Sequence, residues 1–230
     1  MRNIAIIPAR GGSKRIPRKN IKAFLGKPII SYSIKTAISS GLFDEVMVST
    51  DDNEIAKVAR EFGANVPFFR SRKNADDFAT LADVIAEVIE KYIEKGIQYE
   101  NFCCILPTSP LISMQRLMEG YTLLHKNKYT SVTPVVPFSY PILRSLKFDE
   151  KKLLKMNWPE YIASRSQDLP NAYHDSGSFY WAKTNIFLQE ETIFTKNGTG
   201  IILNELEVQD IDNNTDWKLA ELKYSMLHGK

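Results

Sequence analysis

Ile4-Ala5-Ile6-Ile7-Pro8-Ala9-Arg10-Gly11-Gly12-Ser13-Lys14-Arg15-Ile16-Pro17-Arg18-Lys19-Asn20 is a short apolar run that passes directly into a Gly-rich turn carrying five basic residues. The run reads as a buried strand, Ile4–Pro8. In an open α/β sheet ligands bind beyond the carboxyl ends of the strands, so this turn lies where a ligand belongs. Gly11 and Gly12 let backbone N–H groups approach a polyphosphate, and Arg10 and Lys19 can neutralise it. The turn is neither a Walker A loop nor a Gly-x-Gly-x-x-Gly dinucleotide fingerprint. A flexible basic loop or a nucleic-acid patch would read similarly, but aromatic interleaving and excess charge elsewhere are missing.

Outward from this turn, short β-branched runs alternate with longer amphipathic ones, the pattern of βα units around a mostly parallel sheet. Helices are predicted from after Pro28 to about Ser40, stopped by Gly41, and from about Asp52 to Phe62, stopped by Gly63. Others are expected over Leu81–Lys95, near Ser113–His125, and over Thr215–Leu227. Strands are expected at Glu45–Thr50, Val66–Phe69, Phe102–Leu106, Thr130–Val136, Ser178–Trp181, Gly200–Leu203 and Leu206–Val208. From about 137 to 171 the alternation fails among prolines and charges, and an inserted arm or small subdomain is expected within one domain spanning 1–230.

Thirty basic and 27 acidic residues leave a net charge of +3, which gives no general reason for nucleic-acid or membrane binding. With 43% hydrophobic and 25% charged residues the chain is expected to fold throughout. The opening apolar run is too short for a signal peptide's apolar region or a membrane span, so a cytosolic protein is expected. Cys103 and Cys104 are strand neighbours pointing to opposite faces, which excludes a disulfide between them and suggests buried thiols.

Asp210-x-Asp212 places two carboxylates at alternate positions. On an extended segment both face one way and suit Mg²⁺, which takes one or two carboxylates plus phosphate oxygens and waters; alternatively Asp212 or Asn213 caps the terminal helix. His174 can contact a substrate or a neighbouring carboxylate, whereas His125 and His228 read as solvated surface. Arg165 can hold a carboxylate through a fork of hydrogen bonds or form a surface ion pair, with Arg144 as a second candidate. Ser13 and Ser109 have no His nearby in sequence, and no side chain stands out as a general base.

The segment Ile7–Lys14 through Lys19-Asn20 resembles the CTP-binding signature of the N-acylneuraminate (CMP-sialic acid) cytidylyltransferase family. Similar companions follow in order: Gly26-Lys27-Pro28, Val48-Ser49-Thr50-Asp51, Val66–Arg70, Pro107–Leu111, and Asp210-Ile211-Asp212 with Asp216-Trp217. Within the family, Arg165–Pro170 and Tyr173–Trp181 are most similar to the pseudaminic acid branch. Leu106 stands where the sialic acid branch has Gln, and His174-Asp175-Ser176-Gly177 where it has Arg-Pro-Asn-Gly.

The resemblance implies a Rossmann-like α/β fold with helices on both faces and an arm that makes a homodimer. It implies transfer of CMP from CTP to the anomeric hydroxyl of an acidic nine-carbon sugar, releasing pyrophosphate and giving an activated sugar for surface glycan or flagellin glycosylation. CMP-sialic acid or CMP-legionaminic acid synthesis and a non-catalytic nucleotide-binding regulator are the competing readings. Octulosonate or hexose 1-phosphate activation is opposed by the Tyr173–Trp181 motif. The implied nucleotide site is Ala9, Arg10, Gly11, Gly12, Ser13, Asn20, Arg70 and Thr80; the implied sugar site is Leu106, Arg165, Gln167, Tyr173, His174 and Asp175. Arg10, Lys19, Asp210 and Asp212 carry catalysis in this reading, the two aspartates through Mg²⁺.

Overall fold

The computed structural model describes residues 1–126 and 128–229. The chain runs β1 (Asn3–Pro8), the two-residue strands β2 (Ala23–Phe24) and β3 (Lys27–Pro28), α1 (Ile30–Ser40), β4 (Glu45–Ser49), α2 (Asn53–Glu61), α3 (Leu81–Glu94), β5 (Asn101–Ile105), α4 (Met114–Lys126), β6 (Ser131–Pro137), β7 (Leu146–Phe148), β8 (Leu154–Met156), β9 (Tyr173–Asp175), β10 (Phe179–Lys183), α5 (Thr184–Glu190), β11 (Gly198–Ile202) and α6 (Asn214–His228). One sheet has the order β11-β6-β10-β5-β1-β4, with β9 also paired to β6. β1 is parallel to β4 and β5, and β6 to β11; β10 runs antiparallel between β5 and β6, and β9 is antiparallel to β6. This is the expected mostly parallel α/β sheet with two reversed strands.

Strand alternation divides the interior into two layers. Ala5, Ile7, Cys103, Ile105 and Trp181 pack on one face with α1, α2 and α4, whereas Ile4, Ile6, Phe102, Cys104 and Tyr180 pack on the other with α3 and α5. Cys103 and Cys104 are free, fully buried and on opposite layers, and burial pushes both thiols up. Trp181 donates from its indole N–H to the Leu117 carbonyl at 3.1 Å and stacks on Phe43 at 5.1 Å. Gly120 makes room for that ring, since a Cβ there would lie 2.8 Å from Trp181 Cδ1.

A third, smaller core lies at the carboxyl end of the sheet. Ile16 from the basic turn, Phe24, Ile29, Ile211, Trp217 and Ala220 are buried together, with Tyr32 and Tyr224 at their edge. Phe24 meets Tyr32, Trp217 and Tyr224 edge-on at 5.3, 5.7 and 5.8 Å, a geometry worth about 1 kcal/mol per pair beyond burial. This cluster fixes α6 against the turn that follows β1.

Three local expectations differ from the structure, and two small features were not expected. Val66–Phe69 is not a strand: Pro67 lacks an N–H for a ladder, and only the preceding Asn65 bridges to Met47. Leu206–Val208 is not a strand either. Asn204 accepts from Leu206 N–H and Glu207 reaches back to the Asn204 N–H, so a capping box folds Glu205–Glu207 into a single 3-10 turn. The short helix α5 and the small β2–β3 ladder lacked a long enough period to read. His125 is half-buried rather than solvated, its ring tilted against Tyr121 with centroids 4.1 Å apart and its Nδ1 bonded to the Tyr121 carbonyl at 2.8 Å.

The irregular stretch expected at 137–171 contains the separate β7–β8 hairpin and three single 3-10 turns, and none of its residues is buried. Among the described residues no helix is long and apolar enough to cross a membrane.

Candidate active site

β1, β4 and β5 point their carboxyl ends the same way, and the chain leaves β1 toward β4 on one side and returns as β5 on the other. This is the switch point at which an open α/β sheet forms a crevice. The basic turn is pinned across it: Ala9 N–H bonds to the Ser49 carbonyl at 2.9 Å, and Gly11 N–H to Asp51 Oδ1 at 2.9 Å. A Cβ on Gly11 would sit 2.8 Å from Asp52 Oδ2, so only glycine fits against that carboxylate; Gly12 faces open space. Asn20 is buried and its amide holds the Arg10 carbonyl at 2.9 Å.

Each basic side chain of the turn has an anionic or carbonyl partner brought from elsewhere. Arg10 donates to the Asp76 carbonyl and to Asp77 Oδ1 at 3.0 and 2.8 Å, and Lys14 also pairs with Asp77. Arg15 pairs with Asp212 at 2.6 Å. Arg18, in a left-handed conformation (φ 55°), forks onto Asp52 and also reaches Glu54. The Arg18 hydrogen bond, with two N-cap bonds from Ile55 and Glu54, pulls the Asp52 carboxyl down to about 2. Lys19 donates to the Ile211 carbonyl at 2.6 Å, between the two aspartates. Burial pushes the Lys19 ammonium below its usual value while Asp212 and Asp210 oppose the shift.

Residues 204–212 form an irregular strap, a 3-10 turn followed by loop, rather than a strand. Ile211 is fully buried in the small core, whereas Asp210 before it is exposed and Asp212 after it is half-buried. Arg116 from α4 forks onto Glu207 with both bonds at 2.8 Å, Lys223 from α6 donates to the Glu205 and Val208 carbonyls at 2.9 and 2.7 Å, and Lys19 holds Ile211. The helix cap is Asn213, boxed with Asp216, whose carboxylate also accepts from Asp212 N–H. Capping therefore does not occupy the Asp210 and Asp212 carboxylates. Burial, then the neighbouring Asp212, pushes the Asp210 carboxyl up, which is the condition a cation relieves. Two such carboxylates match the small protein share of an Mg²⁺ shell; among the described residues no group of three or more His, Cys, Asp or Glu could hold a metal.

Arg70 is buried at the end of β4 and donates to Ser49 Oγ and the Ser49 carbonyl at 3.1 and 2.6 Å. Thr80 is the N-cap of α3, its hydroxyl and N–H both engaged with Asp83. Ser13 N–H bonds to the Gly11 carbonyl at 3.1 Å.

The residues expected around the sugar are only partly brought together. His174 and Asp175 on β9 line a cavity of about 380 Å³ with Asp210, Gln209, Glu205 and Lys223. Asp175 is fixed by the Tyr180 hydroxyl at 2.6 Å and Gly177 N–H at 2.9 Å. His174 Nδ1 lies 2.9 Å from the Asp175 carbonyl. A carbonyl only accepts, so Nδ1 carries a proton. Gln167 lines an adjoining cavity of about 300 Å³ in the arm, sharing Pro137 and Ser139 with the first. Leu106 is half-buried against the core, its carbonyl accepting from Ser33 at 2.8 Å. Tyr173 lies on another cavity, and Arg165 lines none of these, its exposed guanidinium pairing with Asp168 at 2.7 Å. Sequence reasoning missed Arg15, Asp77, Arg116 and Lys223, whose partners lie far along the chain.

The sequence profile of the family described as Cytidylyltransferase matches residues 4–220. The chain is 42% identical over 228 residues to the pseudaminic acid cytidylyltransferase of Campylobacter jejuni serotype O:2, covering 99% of this chain and 98% of the relative. It is 31% identical over 223 residues to a CMP-N,N'-diacetyllegionaminic acid synthase of Legionella pneumophila, covering 96% and 95%. In three dimensions it is similar to a CMP:2-keto-3-deoxy-manno-octonic acid synthetase complexed with CTP, with a TM-score of 0.71 at 16% identity over the whole of both chains, a likeness of fold.

Proposed function

The chain belongs to the cytidylyltransferase family, and from that premise we propose that it transfers CMP from CTP to the anomeric hydroxyl of pseudaminic acid. The sugar hydroxyl oxygen attacks the α-phosphorus and gives up its proton to solvent water, the bond from that phosphorus to the bridging oxygen of the β-phosphate breaks, and pyrophosphate leaves. One observation carries the reading: the strap that presents Asp210 and Asp212 is tied by Lys19 to the Gly-rich turn and lines the same cavity as His174 and Asp175. Asp210 thus borders the cavity assigned to the sugar and also lies near Lys19 of the turn assigned to the phosphates.

The chain's main contribution is positioning and charge stabilisation. Arg10 and Lys19, with the turn's backbone around Ala9, Gly11, Gly12 and Ser13, surround the triphosphate, and Asn20 holds the turn in shape. A triphosphate competes with Asp77 for Arg10 and Lys14, so those side chains exchange one anion for another on binding. Arg70 and Thr80 are assigned to the base and ribose end. Asp210 and Asp212 would hold Mg²⁺, which, when bound, supplies neutralisation of the phosphates and a lowered pKa for a coordinated hydroxyl. His174 and Asp175 read the groups that differ between acid sugars. The 137–171 arm, which exposes Phe148, Leu153, Leu154 and Ile162 at 72, 57, 56 and 70%, is proposed as the contact of a homodimer. The reading places the enzyme in the cytosol, where CTP is available.

The test is pyrophosphate release by the purified protein with CTP, Mg²⁺ and, separately, pseudaminic, legionaminic and sialic acid. Turnover is expected with pseudaminic acid and CTP, with ATP, GTP and UTP poorly used. Equal turnover of sialic acid would remove the sugar assignment and leave the nucleotide transfer intact; equal use of all four nucleotides would remove both.

A further inference from the structure

Lys223 holds the strap through two bonds, to the carbonyls of Glu205 and Val208 at 2.9 and 2.7 Å. An ammonium carries three donors, so one N–H is left. The same side chain lines the cavity of about 380 Å³ that contains His174, Asp175 and Asp210. Besides Lys223 the wall's Asp and Glu residues are Asp175, Glu205 and Asp210, with His174, Ser139, Ser176 and Gln209 as its other polar side chains. An acidic sugar entering it adds another carboxylate to three already present, and like charges brought together in a partly desolvated space repel. Lys223 is the lysine or arginine in that wall. Burial already disfavours its ammonium, with Glu205 opposing, so an anion placed against it restores what desolvation removes.

We propose that Lys223 is a substrate-contacting residue, its remaining N–H donating to the carboxylate of the acid sugar and thereby selecting acidic over neutral acceptors. This rests on the reading that the cavity receives the sugar. Arg165, whose forked guanidinium makes it the other candidate for the carboxylate, is exposed on the arm and paired with Asp168 in this chain, and Lys223 fills the role within the cavity itself. Lys223 thus has two tasks, one toward the strap's carbonyls and one toward the ligand.

The experiment compares kcat/KM for pseudaminic acid and for its C1 methyl ester, at saturating CTP and Mg²⁺, in the wild-type protein and in Lys223→Gln, Lys223→Arg, Arg165→Ala and Asp175→Asn. Lys223→Gln keeps N–H donors for the strap and removes the charge. The wild type is expected to prefer the acid to the ester by about 30-fold, the scale of one charge-assisted hydrogen bond. Lys223→Gln should bring that ratio near one with the KM for CTP unchanged, and Lys223→Arg should retain most of it. Should Lys223→Gln fail to fold by circular dichroism, Lys223→Met provides the neutral variant for the same ratio. A purely structural role would lower acid and ester alike, leaving the ratio intact, and would overturn the proposal. It is overturned equally if Arg165→Ala abolishes the preference while the neutral Lys223 variant keeps it. If Asp175→Asn leaves the KM for the acid unchanged, the cavity is not the sugar site, and the underlying reading falls together with the proposal.

Discussion

The strap of residues 204–212 and the arm of residues 137–171 are both irregular, yet they are built on opposite principles. Arg116, Lys223 and Lys19 reach the strap from α4, α6 and the basic turn, and Ile211 anchors it in a core of its own. The arm buries no residue, and its internal bonds are local: Asn157 to Ser145, Lys155 to Asp149, Arg165 to Asp168. Absence of regular structure therefore says little about rigidity. What matters is whether the backbone's polar groups are satisfied by distant elements or by near neighbours.

The comparison breaks most visibly at the acid pair. Asp212→Ala should lower kcat/KM by about 10³, with the circular dichroism spectrum unchanged, because the side chain is not part of a buried core and its loss removes only the Arg15 pair and the proposed Mg²⁺ contact. Normal activity with an unaltered Mg²⁺ requirement would remove the strap from the chemistry. Arg10→Ala is next, with an expected loss of about 2 kcal/mol of transition-state stabilisation. An unchanged kcat/KM for CTP would show that the turn does not cradle phosphate.

A smaller effect is expected from acid. The folded Asp52 carboxyl is depressed to about 2 from its ordinary value of 3.8. A depressed carboxylate contributes stability that is present above its unfolded pKa and is lost as pH falls through the folded one. Stability to urea should therefore decline between about pH 4 and pH 2, and Asp52→Asn, which can still cap α2, should flatten that part of the decline. A decline of undiminished size in the variant would assign the acid sensitivity elsewhere. Smallest of all is the arm: Lys155→Ala should change the unfolding free energy of the chain by less than about 0.5 kcal/mol, as exposed ion pairs do. A larger loss would mean that the arm is held by more than its local contacts.

The same contrast explains what could be read in advance. Ile4 to Ile7, Phe102 to Ile105 and the helices of both layers announce themselves by alternation or helical period, and the order of β and α runs is enough for the architecture. Two expected strands failed for local reasons, one at Pro67 and the other where Asn204 and Glu207 form a capping box. The segment around Asp210 and Asp212 is not a strand, and its burial follows only the apolar residue between them, Ile211. Lys223 was not legible. It sits among other polar residues on α6, and its partners are main-chain carbonyls, which leave no trace in the spacing of side chains. The partners of Arg10, Arg15 and Arg116 were hidden for a related reason, each being an acid on a remote element.

The bond from Lys19 to the Ile211 carbonyl spans 192 positions, and the core beneath it joins Ile16 to Trp217. During synthesis the turn after β1 emerges early, with Asn20, Ser49 and Asp51 soon after it, whereas Ile211 and Trp217, which tie it to the strap and to the small core, emerge after β11. A nascent chain stopped before α6 contains the whole central sheet but has neither Trp217 nor Lys223 to fix the strap. Closing so long a loop is slow relative to local folding, so competence to bind nucleotide is expected to be the last property the growing protein acquires.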